Sequence, residues 1–260
     1  MPAGLDINAD LGERADEDAE ADADLIAVIS SANVACGGHA GSDTTMLLVC
    51  RMAADRGVAV GAQVSYVDRE GFGRRRLDVA PADLAAQVRD QVDVLCAHAA
   101  SAGTTVRYLK PHGALYHAAA GDPVVAGAVI AGIAASGLDL PVLTRPGGAL
   151  AAAAASAGLT AYAEAFADRG YSADGGLVPR DHPGALLTDP SAVADRVRRL
   201  IAHGDVMAVD GAAIRVRADS LCVHSDTPGA LAIAQAARAA LESLGLVVTP
   251  FASPAAGAPR

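Results

Sequence analysis

The 260-residue sequence contains no tryptophan, only three phenylalanines and five tyrosines. A core built around large aromatic side chains is therefore excluded, and Val, Leu, Ile and Ala must fill it. Lysine is scarcer still: Lys110 is the one lysine among 20 basic residues. The longest basic run is Arg74-Arg75-Arg76, and the formal net charge is -10. A nucleic-acid partner would require a basic footprint, so that class is set aside. No apolar run approaches the roughly 18 residues of Leu, Ile, Val or Phe that crossing a bilayer requires. The N-terminus lacks the basic and apolar regions of a secretory signal. Cys36, Cys50, Cys96 and Cys222 form no C-x-x-C pair, which argues against a zinc knuckle or a disulfide frame. They read as small buried hydrophobes in a reducing cytoplasm. No G-x-x-x-x-G-K-[ST] loop occurs, so ATP chemistry would need another polypeptide or another mode of binding.

What is present is apolar and regularly punctuated. Hydrophobic residues make up 52% and charged residues 19%, a balance that excludes disorder as the main state. Strand-like runs are expected at residues 5–8, 58–64, 106–110, 140–144, 160–165, 206–210, 221–224 and 246–249. Helical patterns lie between most of them. Leu84, Val88, Val92, Leu95 and Ala99 share one face, as do Val193, Val197, Leu200 and Ile201. Asp122-Pro123, Asp189-Pro190 and Thr227-Pro228 read as a capping residue followed by a proline at the first helical position. The alternation predicts an α/β fold, an irregular (β/α) barrel of about seven or eight parallel strands. One domain over residues 1–260 is expected, with a flexible tail from about residue 253. The acidic run at residues 16–24 reads as a solvated helix face.

Polar residues gather where strands run into the following loops, the face on which a parallel barrel assembles its reactive groups. Asp6, Asn8 and Asp10 alternate with Leu5, Ile7 and Ala9, so they project to one side of the first strand. They could bind a metal, orient a histidine or receive a substrate ammonium, or simply face water on an edge strand. Asn33 and His39 belong to a glycine-rich turn at residues 31–41, which would let backbone approach a ligand. Arg74, in Gly71-Phe72-Gly73-Arg74-Arg75, suits bidentate capture of a carboxylate or phosphate. Lys110 and His112, in Lys110-Pro111-His112-Gly113-Ala114-Leu115-Tyr116, are placed to meet an anionic or carbonyl oxygen. Burial would lower the Lys110 pKa and make it a base. Glu164 and Asp168 could divide acid and base duties; Asp168 and Arg169 could instead form a bracing ion pair. Arg180 follows nearby. His224 and Asp226 end a strand where a helix N-terminus would favour an anion, with Asp226 or Thr227 as its cap. His98, His117, His182 and His203 read as surface or helix-end residues.

Taken together, six segments resemble the LamB/YcsF family. They are Asp6-Ile7-Asn8-Ala9-Asp10-Leu11-Gly12-Glu13, residues 31–41, 71–75 and 110–116, residues 164–171 with Val178-Pro179-Arg180, and residues 222–226. The resemblance covers about residues 4–250. It implies a barrel related to carbohydrate-deacetylase folds and ATP-dependent opening of 5-oxoproline to L-glutamate, in complex with partner subunits B and C that would handle ATP. On that basis Lys110, Arg169 and Arg180 would hold carboxylate or phosphoryl oxygens, and Asp10 and Glu164 would position and deprotonate water. His39, His112 and His224 would move protons, with Asp6, Asn8 and Asp226 orienting them; Asn33, Arg74 and Asp168 complete the binding set. The sequence departs from the family pattern at Ala9, usually Cys, at Ser42, usually acidic, and at Ser225, usually Gly. It also has Gln63-Val64 where His-Pro is usual. Two other readings are a stand-alone metal-dependent amide or ester hydrolase, with Asp10, His39 and a further His on Zn²⁺, and a non-catalytic scaffold. Gln63 counts against the first of these.

Overall fold

Seven parallel strands close on themselves. In chain order they are β1 (Gly4–Leu11), β2 (Ser31–Ala35), β3 (Ala59–Val64), β4 (Val106–Pro111), β5 (Val142–Thr144), β6 (Ala161–Phe166) and β9 (Ser220–Val223). Each pairs with the next, and β9 returns to pair with β1, so the sheet has no free edge. The computed structural model describes residues 4–14 and 22–252. Most of the acidic run and the C-terminal tail lie outside the described residues. Asp22, from the end of that run, is buried and accepts a 2.7 Å hydrogen bond from the Gly12 amide, so it is not solvated.

Helices α2 (Asp43–Arg56), α3 (Pro81–Ser101), α4 (Gly113–Gly121), α5 (Pro123–Ala135), α6 (Ala149–Ser156), α7 (Pro190–His203) and α8 (Ala230–Ser243) surround the barrel; a short α1 (Ala23–Ile26) precedes β2. The apolar faces expected on α3 and α7 are buried, with Ile201 half-buried at the margin. Asp122 and Asp189 cap α5 and α7 through their side chains. Among the described residues no single helix is long and apolar enough to cross a membrane. The apolar α4 and α5 bend by 114° at their junction and pack onto the barrel helices.

Three strand expectations are corrected. Residues 31–35, read as part of a turn, form β2, and the turn starts at Cys36. Ser-Ala-Asn-Val-Ala carries one β-branched residue, so propensity gave no signal. Residues 206–210 do not enter the barrel. β7 (Asp205–Met207) pairs antiparallel with β8 (Ala213–Arg215) as a separate hairpin. Near the C-terminus only β10 (Val247–Val248) forms, beside the start of β1. The caps are corrected too: α8 starts at Ala230 with Gly229 before it, so neither Asp226 nor Thr227 caps it.

The barrel sorts its residues by chemistry. Leu5, Ile7, Ala9 and Leu11 of β1 join the apolar shell under the helices. Asp6, Asn8 and Asp10 take the opposite side and are fully buried, which excludes the wet edge-strand reading. At the N-terminal ends of the strands, Ala59, Tyr108, Leu143 and Ala252 pack with Tyr162 and Phe251 as a small apolar plug. Tyr108 lies across Gly61, where any Cβ would drive into its ring. Gly61→Ala is therefore expected to overpack the interior and cost about 1–3 kcal/mol. Thermal unfolding checks this: an unchanged midpoint would show that the ring has room to move.

Candidate functional site

Polar side chains rise from the plug in layers. Asp6 accepts hydrogen bonds from Ser30 and Ser31, each 2.6 Å, and from Ser220. Above it, Asn33 donates to Asn8 at 2.7 Å and to Asp10 at 2.8 Å, while the Tyr108 hydroxyl donates to Asn33 at 2.6 Å. Lys110 completes the stack. Its ammonium lies 2.7 Å from Glu164 Oε1, 3.1 Å from Asp10 Oδ1, 3.2 Å from Asn8 Oδ1 and 3.2 Å from Cys222 Sγ. Burial alone would discharge Lys110, but Asp10, Cys222 and Glu164 raise its pKa well above the ordinary lysine value. It is a fixed cation, and the expectation that it acts as a base is corrected. Burial would likewise raise Asp10; Lys110, His224 and His112 outweigh that and hold it below the usual range.

The cavity above this stack has a volume of about 460 Å³. Asp10, Glu13, Lys110, His112 and His224 line its inner part, and Arg74, Arg180 and Asp226 its outer part. Asp226 is held by Arg74 at 2.5 Å and by Arg180 at 3.0 Å, so it clamps two arginines instead of orienting a histidine. Arg169 lines the wall but donates to the carbonyls of Ala185 and Val178, which braces the loop. Asp168 pairs with His224, not with Arg169. It accepts from His224 Nδ1 at 3.0 Å, from the His224 amide at 3.1 Å and from Thr227 Oγ1 at 2.5 Å. Burial disfavours charge on His224, but Asp168 prevails and its pKa rises. Nδ1 is thereby fixed as a donor and Nε2 is left for the cavity. His117, read as a surface residue, also lines the cavity.

Glu13 and Gln63 form a second cluster that residue type alone did not single out. The His39 and His112 rings stack with centroids 3.7 Å apart, and Phe72 packs edge-on against both. His112 Nε2 donates to the Phe72 carbonyl at 3.2 Å, so its Nδ1 is the acceptor. Phe72 turns that carbonyl inward at the cost of a positive φ of 53°. Gln63 donates from Nε2 to His112 Nδ1 at 3.1 Å and to Glu13 Oε1 at 3.0 Å. On the far side, Ser65 donates to the Tyr66 carbonyl, so it accepts from His39 Nδ1 at 3.1 Å. His39 Nε2 then points a lone pair at Glu13 Oε1, 3.0 Å away. That contact needs a proton on Glu13. Burial and the Asp10 charge accordingly push Glu13 up to about 7. Burial lowers His39 and His112 to about 4, with His39 adding to the effect on His112.

Two groups of side chains could in principle ligate a metal: Glu13 with His39 and His112, and Asp10 with Cys222 and His224. His39 and Asp10 thus fall in different groups, contrary to the Zn²⁺ reading. In this structure each group has a hydrogen-bond donor beside it. The Gln63 amide nitrogen, a donor, stands 3.0–3.1 Å from two members of the first group. The Lys110 ammonium stands 3.1–3.2 Å from two members of the second. Reversing the amide would set its oxygen against the His112 lone pair, so the hydrogen-bond pattern fixes its orientation.

Comparison with known proteins agrees with this architecture. The LamB/YcsF family pattern matches residues 5–256. The chain belongs to the LamB/YcsF family. A Streptomyces coelicolor protein named as the A component of 5-oxoprolinase is 51% identical over 254 residues, spanning 95% of this chain and all of the relative. A Mycobacterium avium protein of the same name is 48% identical, spanning 96% and 99%. The crystal structure of a lactam utilization protein from Thermus thermophilus superposes with a TM-score of 0.85 at 39% identity, spanning 95% and 99%. A truncated 3-deoxy-D-arabino-heptulosonate 7-phosphate synthase from Thermotoga maritima, at 13% identity and a TM-score of 0.50, shares the fold alone; the match spans 95% and 90%.

Of the residues expected at the site, this LamB/YcsF chain brings Asp10, Lys110, His112, His224, Arg74, Arg180 and Asp226 to one cavity, with His39, Glu164 and Asp168 directly behind. Asn8 and Asn33 form the layer beneath, and Asp6 lies at the floor away from every histidine. Burial raises Asp6 to about 6, against the hydrogen bonds from Ser220, Ser30 and Ser31. The folded state therefore holds a proton that the unfolded chain releases near pH 4. That contribution is complete below about pH 4 and is lost as pH rises through about 6. Asp6→Asn is expected to flatten the fall in stability between pH 4 and 6, a difference on the order of 3 kcal/mol. Urea denaturation of both proteins at several pH values tests it; parallel profiles would refute it.

Proposed function

We propose that this chain is the A component of a 5-oxoprolinase, opening the ring of an activated 5-oxoproline to give L-glutamate, with partner subunits B and C supplying activation from ATP. The observation that carries the reading is that Glu13, pushed up to about 7, and His224, whose pKa Asp168 raises, line one cavity. It occurs in a chain half identical, end to end, to proteins named for that activity. The absence of a phosphate-binding loop from the sequence supports leaving ATP to the partners. The four described cysteines are free, as suits the reducing cytoplasm where we place the protein.

A lactam is a stabilised amide and a poor electrophile. Phosphorylation of its oxygen leaves an electron-poor ring carbon bonded to nitrogen. Water adds to that carbon, and Glu13 takes the proton; the neutral acid formed then donates to His39 Nε2, an acceptor already in place. The tetrahedral carbon now bears hydroxyl, phosphoryl oxygen and ring nitrogen. Loss of phosphate first would regenerate the lactam and waste the ATP. His224, whose pKa Asp168 raises, protonates the nitrogen so that the C–N bond breaks instead, and the hydroxyl gives up its proton as the carbonyl forms. The resulting acyl phosphate is hydrolysed by a second water to glutamate and phosphate. Lys110 and the clamped Arg74 and Arg180 offset the negative charge of the phosphoryl group. Proton abstraction thus moves from Asp10 and Glu164, named on sequence grounds, to Glu13, because Asp10 is pinned as an ion by Lys110.

The decisive assay is glutamate release from 5-oxoproline and ATP, with and without the partner subunits. Turnover is expected only with all components, rising with pH through about 7 as Glu13 ionises. Glu13→Gln should lower it by about 10²–10⁴-fold and abolish that pH dependence, with thermal stability retained. Near-normal turnover by Glu13→Gln would remove the assignment. Lys110→Ala is a poorer probe, since it strands two buried carboxylates at a cost of about 3–5 kcal/mol.

A further inference from the structure

Arg74, Arg180 and Asp226 reach the outer part of the cavity from three separate loops, those following β3, β6 and β9. Asp226 Oδ2 accepts from Arg74 at 2.5 Å and from Arg180 at 3.0 Å, and its Oδ1 accepts from Arg180 at 3.2 Å. Among the described residues none of these three side chains makes any other hydrogen bond or ion pair. Neighbouring basic side chains are spent elsewhere: Arg75 on Asp68, Arg76 on Asp122 and Arg169 on two carbonyls. Two guanidiniums thus converge on the cavity and are answered by one carboxylate, which leaves one positive charge over.

Of the three, the carboxylate is the part free to leave. The Asp226 side chain is 34% exposed, against 5% for Asp10 and 0% for Asp168, and an exposed ion pair contributes little. The backbone on either side of it is pinned, because the His224 amide and the Thr227 hydroxyl both donate to Asp168. The Asp226 side chain can therefore swing to solvent with no movement of His224. The arginines have supports of their own. Arg74 lies over the Phe72 ring, 4.9 Å from its centroid. Arg180 follows Val178 and Pro179, and Arg169 grips the Val178 carbonyl at 2.7 Å. Both guanidiniums stay in place when the carboxylate departs.

A tethered carboxylate competes with a free anion at an effective concentration of about millimolar or more. A free monoanion in its place gains nothing in charge, since the surplus of one remains. A phosphoryl group is mostly dianionic at neutral pH; it cancels both guanidiniums and offers more acceptor oxygens to their forks. We propose that Asp226 is a resident stand-in anion, displaced by the phosphoryl group of the activated lactam and restored when phosphate leaves. This rests on the 5-oxoprolinase reading and deepens it. The seat admits the phosphorylated ring and turns away the unactivated lactam, whose carboxylate is a monoanion, so Asp226 determines specificity. Its return to the arginines also competes with the phosphate product and speeds release.

Calorimetric titration of the full chain with inorganic phosphate and with acetate, at about pH 8 where phosphate is a dianion, reads the exchange directly. The wild type should bind phosphate weakly and acetate not measurably. Asp226→Ala should bind phosphate about tenfold more tightly or better and acquire acetate binding, and Asp226→Asn should shift the same way. Adding Arg180→Ala to Asp226→Ala should abolish the gain. Phosphate affinity unchanged or lower in both Asp226 variants, at the wild-type melting temperature, overturns the proposal: a carboxylate that only braces the arginines would leave them disordered when lost. A gain that survives the loss of Arg180 also overturns it, because net charge alone then explains the effect. In the reconstituted three-component complex, phosphate should inhibit the Asp226 variants at about tenfold lower concentration than the wild type. A wild-type complex that releases no glutamate from 5-oxoproline and ATP overturns the 5-oxoprolinase reading instead, and the titration of the isolated chain still decides what the seat holds.

Discussion

One buried ammonium organises the inside of this barrel. Lys110 meets Asp10, Glu164, Asn8 and Cys222 where β1, β4, β6 and β9 converge. Burying such charges is costly unless each has a counter-charge and hydrogen bonds. The cost is offset by geometry: every ligand of the ammonium is carried on a strand, and every strand is locked by two neighbours. The charge state of the surrounding groups follows. With Lys110 fixed as a cation, Asp10 is fixed as an anion. Asp10 in turn raises the energy of ionised Glu13 and brings that carboxyl close to neutrality. The reactivity of the cavity is a downstream effect of a single ion cluster.

The same arrangement explains an unusual division of the core. Parallel strands are commonly apolar on both faces. Here the outward residues of β1 pack under helices, while the inward ones are aspartate, asparagine and aspartate. Serine, asparagine and tyrosine hydroxyls and amides satisfy them layer by layer, from Asp6 at the floor to Lys110 below the cavity. Apolar burial under the helices supplies the stability that this polar interior does not.

Much of this was legible in the sequence. Period-two alternation in residues 5–10 identified a strand with one polar face, and the proline-punctuated helix starts at Asp122 and Asp189 were readable from local chemistry. The clustering of titratable residues at strand ends identified the reactive face. Other features were hidden for physical reasons. β2 has a composition that favours no strand, and it exists because β1 and β3 hold it on either side. Asp168 was read against its sequence neighbour Arg169, but a charge pair is set by space, and β9 brings His224 to Asp168. In sequence Glu13 is one of several polar residues at the first strand end, with no role of its own. It becomes special because Gln63, His39 and His112, each from a different strand end or loop, close around it.

The adjacency of Asp168 and Arg169 links two scales of the molecule. The first sets the orientation and charge of an imidazole; the second grips the carbonyls of residues 178 and 185, and so the outer rim. A single peptide unit joins these tasks. A change at the rim and a change at the imidazole therefore share one short stretch of backbone.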